Sequence, residues 1–226
     1  MDDIISLFTE RGGVLVTPPA AFRQKLVAVK AVLFDWDGVF NEGFKQGTEG
    51  SAFSEVDAMG TNMLRYALWR QHGRLPITAI ITGENNPSAV HLAKRESFHN
   101  AYLLAKNKGM VFADFLKTYQ LDPAEVAFFF DDVLDVEVAR QCGIRIMISR
   151  KGAPMFHNLV RRSGCADYLT ACDGAGHGLR EGCELCIGML HQFDEVIRNR
   201  TEWSANYQEY LSDRKAIQPV ISESRA

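Results

Sequence analysis

Four short stretches of the chain carry side chains whose types and spacing could do chemistry together. The first is Asp35-Trp36-Asp37-Gly38-Val39, two carboxylates one residue apart after an apolar run. At a strand end both can face one cleft, and their tasks can divide: one attacks as nucleophile, while the other, protonated part of the time, gives a proton to a leaving oxygen. A polar turn, in which Asp-Gly is common, is the competing reading. The second is Thr82-Gly83, a hydroxyl and an open backbone amide ahead of a helix starting near Pro87. Free N–H groups and the helix dipole suit that place to an anion, although an ordinary cap would look the same. The third, Asp131-Asp132-Val133-Leu134-Asp135, follows a later apolar run. Facing the first pair, it would make an oxygen-rich site suited to Mg²⁺, and the cation would relieve repulsion among the carboxylates. Asp135 falls in the first turn of the next helix, so capping competes as a role for Asp132 and Asp135. The fourth is Lys108, whose ammonium near the nucleophile would hold its carboxylate ionised and offset phosphate charge; Lys106 is the rival.

The elements that must position these groups are legible as short apolar runs without alternation: Ala31 to Phe34, Ile77 to Ile81, Val126 to Phe130 and Ile144 to Ile148. Such runs suit strands covered on both faces. Between them lie helical segments with recognisable ends. One stops at His72-Gly73, one starts with Asn86 as N-cap and Pro87, one ends before Asp122-Pro123 and one stops at Gly143. Upstream, a short helix (Ile4 to Phe8), a Gly12-Gly13 break and a helix from Pro19 to Val29 are expected. Strand and helix alternate, which predicts an α/β fold: a mainly parallel sheet with helices on both faces and ligands at the carboxyl ends of the strands. Residues 40–56 interrupt the alternation, and glycines at 43, 47 and 50 predict a small β-hairpin insertion there, too short for a large cap.

The chain has 226 residues, 46% hydrophobic and 23% charged, as expected of a globular protein with a sizeable core. Its 25 Lys plus Arg against 28 Asp plus Glu leave no global basic field for nucleic acid or anionic lipid. No apolar run nears the roughly 20 residues that span a bilayer, and the opening MDDIISLFTERGG is acidic where a signal peptide is basic, so a cytoplasmic protein without membrane or nucleic-acid partners is expected. Five cysteines (Cys142, Cys165, Cys172, Cys183, Cys186) argue against a disulfide framework. Cys183 and Cys186 share a helical apolar stripe with positions 179, 187 and 190, which favours packing over zinc.

The set and order of the four motifs resemble the haloacid dehalogenase (HAD) superfamily. Its members have a Rossmann-like domain and mostly transfer phosphoryl groups through an aspartyl-phosphate with Mg²⁺. The absence of a long cap, the glycines of residues 43–50, Asp57-Ala58-Met59-Gly60, and Ala166-Asp167-Tyr168 followed by Gly174 to Cys183 are similar to the capless branch typified by 3-deoxy-D-manno-octulosonate 8-phosphate (KDO 8-phosphate) phosphatases. The resemblance covers about residues 28–192, a core domain flanked by an N-terminal extension (1–27) and a C-terminal tail (193–226). It implies Asp35 as nucleophile and Mg²⁺ ligand, and Asp37 as general acid/base whose backbone carbonyl also meets the metal. Thr82 would bind the transferring phosphoryl group, Lys108 would neutralise it and Asp131 would complete the protein ligands, with Gly83, Asp132 and Asp135 in support around them. The implied activity is Mg²⁺-dependent hydrolysis of a small phosphorylated metabolite such as a sugar acid phosphate. The implied assembly is a homotetramer in which one subunit's hairpin walls its neighbour's site.

Several positions depart from that branch. Phe130 stands where Gly is usual and should narrow the space beside Asp131; Glu84 stands where Arg is usual and should oppose an anionic substrate unless Lys94 or Arg95 pairs with it. Asn41-Glu42-Gly43 with Phe40 replaces Thr-Asp-Gly, and Trp36 exceeds the usual aliphatic residue. These departures leave a catalytically weak or inactive oligomeric scaffold as the alternative. Asp37 and Asp131 argue against a metal-free 2-haloacid dehalogenase, and the lack of a cap argues against a phosphomutase. In the tail, Trp203, Tyr207, Tyr210 and Leu211 recur at near-helical spacing and predict a docking face, with a neighbouring subunit as one candidate surface.

Overall fold

Consecutive apolar residues in the middle of the chain can be buried only where helices cover both faces of a sheet, and that is the architecture found. The computed structural model describes residues 2–224. Its strands are β1 (Val14–Leu15), β2 (Ala31–Phe34), β3 (Ile77–Ile81), β4 (Asn100–Leu103), β5 (Val126–Phe130), β6 (Ile144–Met147), β7 (Tyr168–Leu169) and β8 (Val220–Glu223). They form one sheet in the order β1-β7-β6-β5-β2-β3-β4-β8, parallel throughout except where β1 meets β7.

Helices α1 (Asp2–Thr9), α2 (Pro19–Val27), α3 (Glu55–His72), α4 (Pro87–Arg95), α5 (Lys108–Tyr119), α6 (Val136–Ala139), α7 (Pro154–Arg162), α8 (Gly178–Met189), α9 (Phe193–Thr201) and α10 (Ala205–Lys215) complete the fold. Alternate strand residues feed two cores. Phe34, Ile80 and Phe129 pack with α2, α3, α4 and α8, whereas Leu33, Ile81, Phe128 and Phe130 pack with α5, α6 and α7. Gly73 closes α3 in the left-handed conformation, at φ 66°, as its position after His72 predicts.

Two expectations are corrected, and the surface on which the tail docks is settled. Residues 40–54 form no hairpin: the segment is irregular, with one 3-10 turn at Gly47–Glu49. Positive φ at Gly43, Gly47 and Gly50 bends the chain repeatedly, and no alternating apolar run is present to pair as strands. The tail docks on its own chain. Tyr207 and Tyr210 are buried against Tyr66 of α3, with ring centroids 5.2 and 5.1 Å away, and Trp69 Nε1 donates to Asp213 at 2.8 Å. The chain then adds β8 to the edge of β4. Helix α2 ends at Val27, two residues before the expected stop.

All five cysteines are free thiols, and Cys183 and Cys186 are fully buried on the core side of α8. Among the described residues, no helix is long and apolar enough to cross a membrane.

Candidate active site

β5, β2 and β3 are neighbours in the sheet, parallel and in register, with Phe34 paired to both Phe129 and Ile80. The residues leaving their carboxyl ends must therefore meet. Asp35 follows β2, Asp131 follows β5, and Asp135 is returned to the same point by the 3-10 turn Val133–Asp135. One carboxylate oxygen from each of these three buried residues lies within 4.8 Å of the other two. Lys108, the first residue of α5, sits among them: its Nζ is 2.6 Å from Asp35 Oδ1 and 2.6 Å from Asp135 Oδ1. Burial would strip its proton, but the two carboxylates outweigh that cost and hold the ammonium charged beyond the ordinary lysine range. Lys106 is more than half exposed and pairs with Glu84.

Burial pushes the carboxyls of Asp131 and Asp135 upward, and the neighbouring Asp35 adds to the shift. Arg150 Nε lies against Asp131 Oδ2 as an ion pair, whereas Oδ1 of this fully buried side chain has no hydrogen-bond partner. A buried carboxylate with an unpartnered oxygen beside two others is a hard-oxygen set that fits a divalent cation such as Mg²⁺. Asp132 and Asp135 also make the cap that the sequence offered as a rival reading. Asp132 accepts from Val133 N at 2.7 Å, and Asp135 accepts from Asp132 N at 3.2 Å. Gly38, at φ +89°, has no substitute here, because a Cβ would fall 2.0 Å from Asp131 Oδ2.

Asp37 faces the same cavity, a space of about 440 Å³ also lined by Asp35, Gly83, Lys108, Asp131 and Asp135. Its carboxylate accepts from Ser51 Oγ at 2.6 Å, Lys45 Nζ at 2.6 Å and Asn86 Nδ2 at 3.1 Å. Burial raises the Asp37 carboxyl, yet these donors together hold it below its ordinary value. Thr82 is brought to the site but does not line the cavity; it is fully buried, with its hydroxyl accepting from Asn86 Nδ2 at 2.8 Å. A larger cavity of about 660 Å³ lies between α1, α8 and α9, away from these carboxylates.

Of the two departures expected to hinder substrate, Phe130 does not line the cavity, whereas Glu84 does. Phe130 is fully buried and stacked on Phe128 at 5.6 Å, within the core under α5. Glu84 is paired with Lys106 instead of Lys94 or Arg95, and Arg95 is taken by Glu55 and Glu96. Trp36 and Phe40 stack at 4.9 Å inside the core, where Trp36 Nε1 anchors the loop by donating to Ser51 O at 3.2 Å. Sequence reasoning missed Lys45, Ser51 and Arg150, and it read Asn86 only as a cap. Arg150 alone carried a signal, a charge two residues beyond an expected strand; Lys45 and Ser51 belong to a loop with no periodicity.

No protein-family model matches the chain. It is 28% identical over 172 residues to the 3-deoxy-D-manno-octulosonate 8-phosphate phosphatase KdsC of Escherichia coli strain K12, covering 74% of this chain and 84% of that one. Among solved structures it is similar to a putative HAD superfamily (subfamily III A) hydrolase from Legionella pneumophila, at TM-score 0.65 and 23% identity over 81% of this chain and 95% of that one. It is also similar to the KDO 8-phosphate phosphatase of Moraxella catarrhalis, solved with magnesium, phosphate and KDO, at TM-score 0.64 and 23% identity over 79% and 97% of the two chains. The fold is thus that of the HAD superfamily. Within it, the chain resembles the KDO 8-phosphate phosphatases.

Proposed function

We propose that this protein is a Mg²⁺-dependent phosphatase that hydrolyses a small phosphorylated metabolite, of the sugar phosphate class, through an aspartyl-phosphate on Asp35. The observation that carries this reading is the buried meeting of Asp35, Asp131, Asp135 and Lys108 at the carboxyl ends of adjacent parallel strands. Asp35, Asp131 and the backbone carbonyl of Asp37 are the groups assigned to hold the metal, with Asp135 in reach of the same point. When bound, Mg²⁺ supplies positive charge against the phosphoryl oxygens.

In the first step an Asp35 oxygen bonds to phosphorus while the phosphorus–oxygen bond to the leaving group breaks, and Asp37 delivers the proton that the leaving oxygen takes. Lys108 offsets the charge of the transferring group next to the nucleophile. In the second step water attacks the phosphorus, Asp37 takes its proton, and the bond to Asp35 breaks to release phosphate. Asp37, held ionised by three donors, is ready as the base of the second step and must gain a proton before the first.

The scaffold alternative drew on Phe130 and Glu84; Phe130 lies in the core, and Glu84, which lines the cavity, has its charge paired with Lys106. A homo-oligomer is part of the proposal, and exposed Phe44 on the 40–54 loop, 72% accessible, offers it an apolar contact. The test is phosphate release from a panel including KDO 8-phosphate, smaller sugar phosphates and p-nitrophenyl phosphate, with and without Mg²⁺. Release that needs Mg²⁺ and disappears in Asp35→Asn is expected; equal release by a folded Asp35→Asn protein would remove Asp35 from the mechanism.

A further inference from the structure

We propose that Asn86 is a positioning residue that, with Lys45 and Ser51, fixes the carboxylate of Asp37 and ties it to Thr82, an inference that rests on the phosphatase reading above. Asn86 stands at the N-cap of α4, where an asparagine side chain ordinarily accepts from the helix's own backbone. Here it makes no such bond. Its fully buried amide is spent on the site: Nδ2 donates to Asp37 Oδ2 at 3.1 Å and to Thr82 Oγ1 at 2.8 Å, and Oδ1 accepts from Lys45 Nζ at 3.1 Å. Only this orientation of the amide works, since the flipped one would set its oxygen against a carboxylate and its NH₂ against an ammonium.

The cradle closes from the other side through the 40–54 loop. Ser51 Oγ holds Asp37 Oδ1 at 2.6 Å, and Lys45 Nζ holds Oδ2 at 2.6 Å. Gly50 lets the loop come this near: it sits at φ +73°, and a Cβ would lie 2.6 Å from Asn86 Oδ1. Both oxygens of Asp37 are thus oriented, and charge-assisted bonds of this kind resist rotation of the carboxylate. Asn86 is the member that also touches Thr82, so a single buried amide sets the acid/base group relative to the hydroxyl that follows β3.

The experiment compares leaving groups. An alkyl phosphate such as β-glycerophosphate needs a proton on its leaving oxygen, whereas p-nitrophenyl phosphate barely does. A misplaced acid therefore separates the two, within the roughly 10²- to 10⁴-fold that proton transfer contributes. In Asn86→Ala, kcat on β-glycerophosphate should fall about tenfold further than kcat on p-nitrophenyl phosphate. Ser51→Ala, which removes the donor to the other oxygen of Asp37, should give the same kcat split. Equal kcat losses on both substrates in the two variants, tracking a lowered unfolding midpoint, would reduce Asn86 to a structural residue and overturn the proposal. Absence of Mg²⁺-dependent release from the unmodified protein would instead overturn the phosphatase reading, and the proposal with it.

Discussion

Lys108 is buried among the Asp35 and Asp135 carboxylates, with 4% of its side chain exposed against 8% for Asp35 and 1% for Asp135, while the more exposed Arg150 meets Asp131. Replacing it by Met keeps the apolar stem and removes the charge, leaving three carboxylates within 4.8 Å without their ammonium. Removing one partner of a buried pair costs about 3–5 kcal/mol, because the remaining charge is left without compensation. The cost has a pH signature. Asp131 and Asp135 already titrate above the ordinary carboxylate range, and loss of Lys108 moves Asp135 further up, so the folded state binds protons that the unfolded state releases. The deficit in metal-free Lys108→Met should therefore grow as pH rises from the carboxylate range through neutrality, and it should shrink again when Mg²⁺ takes over the neutralisation. Urea unfolding of both proteins at pH 5 and pH 8, with chelator or with Mg²⁺, measures this, and phosphate release by the same samples should be lost. A deficit below about 1 kcal/mol at pH 8 would refute the electrostatic account of the site, since it would place that ion pair among ordinary surface pairs.

Burial and the charge of Arg65 pull the His99 imidazole down to about 4, while Thr78 N donates to its Nδ1 at 3.0 Å. Because the folded value lies below the unfolded one, this stability is fully present above about pH 6.5 and is lost as pH falls through about 4, at most about 3 kcal/mol in all. His99→Gln should flatten that part of the urea-unfolding profile between pH 7 and pH 4, and an unchanged slope would contradict it. Phe130→Ala should cost about 3–5 kcal/mol in unfolding free energy with no gain in turnover of any sugar phosphate, since the ring fills core and not cavity. A stable variant with a lowered KM would return Phe130 to the site. Glu84→Gln, at a pair whose side chains are both more than half exposed, should change stability by less than about 1 kcal/mol, checked by the same unfolding.

The order of the central strands' chemistry was written in the chain, because apolarity at consecutive positions is a local property and doubly covered strands demand it. Ala31–Phe34, Ile77–Ile81 and Val126–Phe130 are strands at the expected positions, and parallel neighbours must present Asp35, Thr82 and Asp131 at one edge. β4 and β8 escaped because one begins with Asn100 and the other is a half-exposed edge, so neither makes an unbroken apolar run. Tertiary structure alone decided which lysine enters the site: Lys106 and Lys108 are two residues apart, and the start of α5 points one at Asp35 and the other at Glu84. It alone also converted Asn86 from a cap into a bridge, brought Lys45 and Ser51 onto Asp37 in place of a hairpin, and laid Tyr207 and Tyr210 on α3. Those contacts join polar or aromatic groups from elements far apart in the chain. No periodicity records them, because each exists only when the sheet has already brought its two partners within hydrogen-bonding or ring-packing distance.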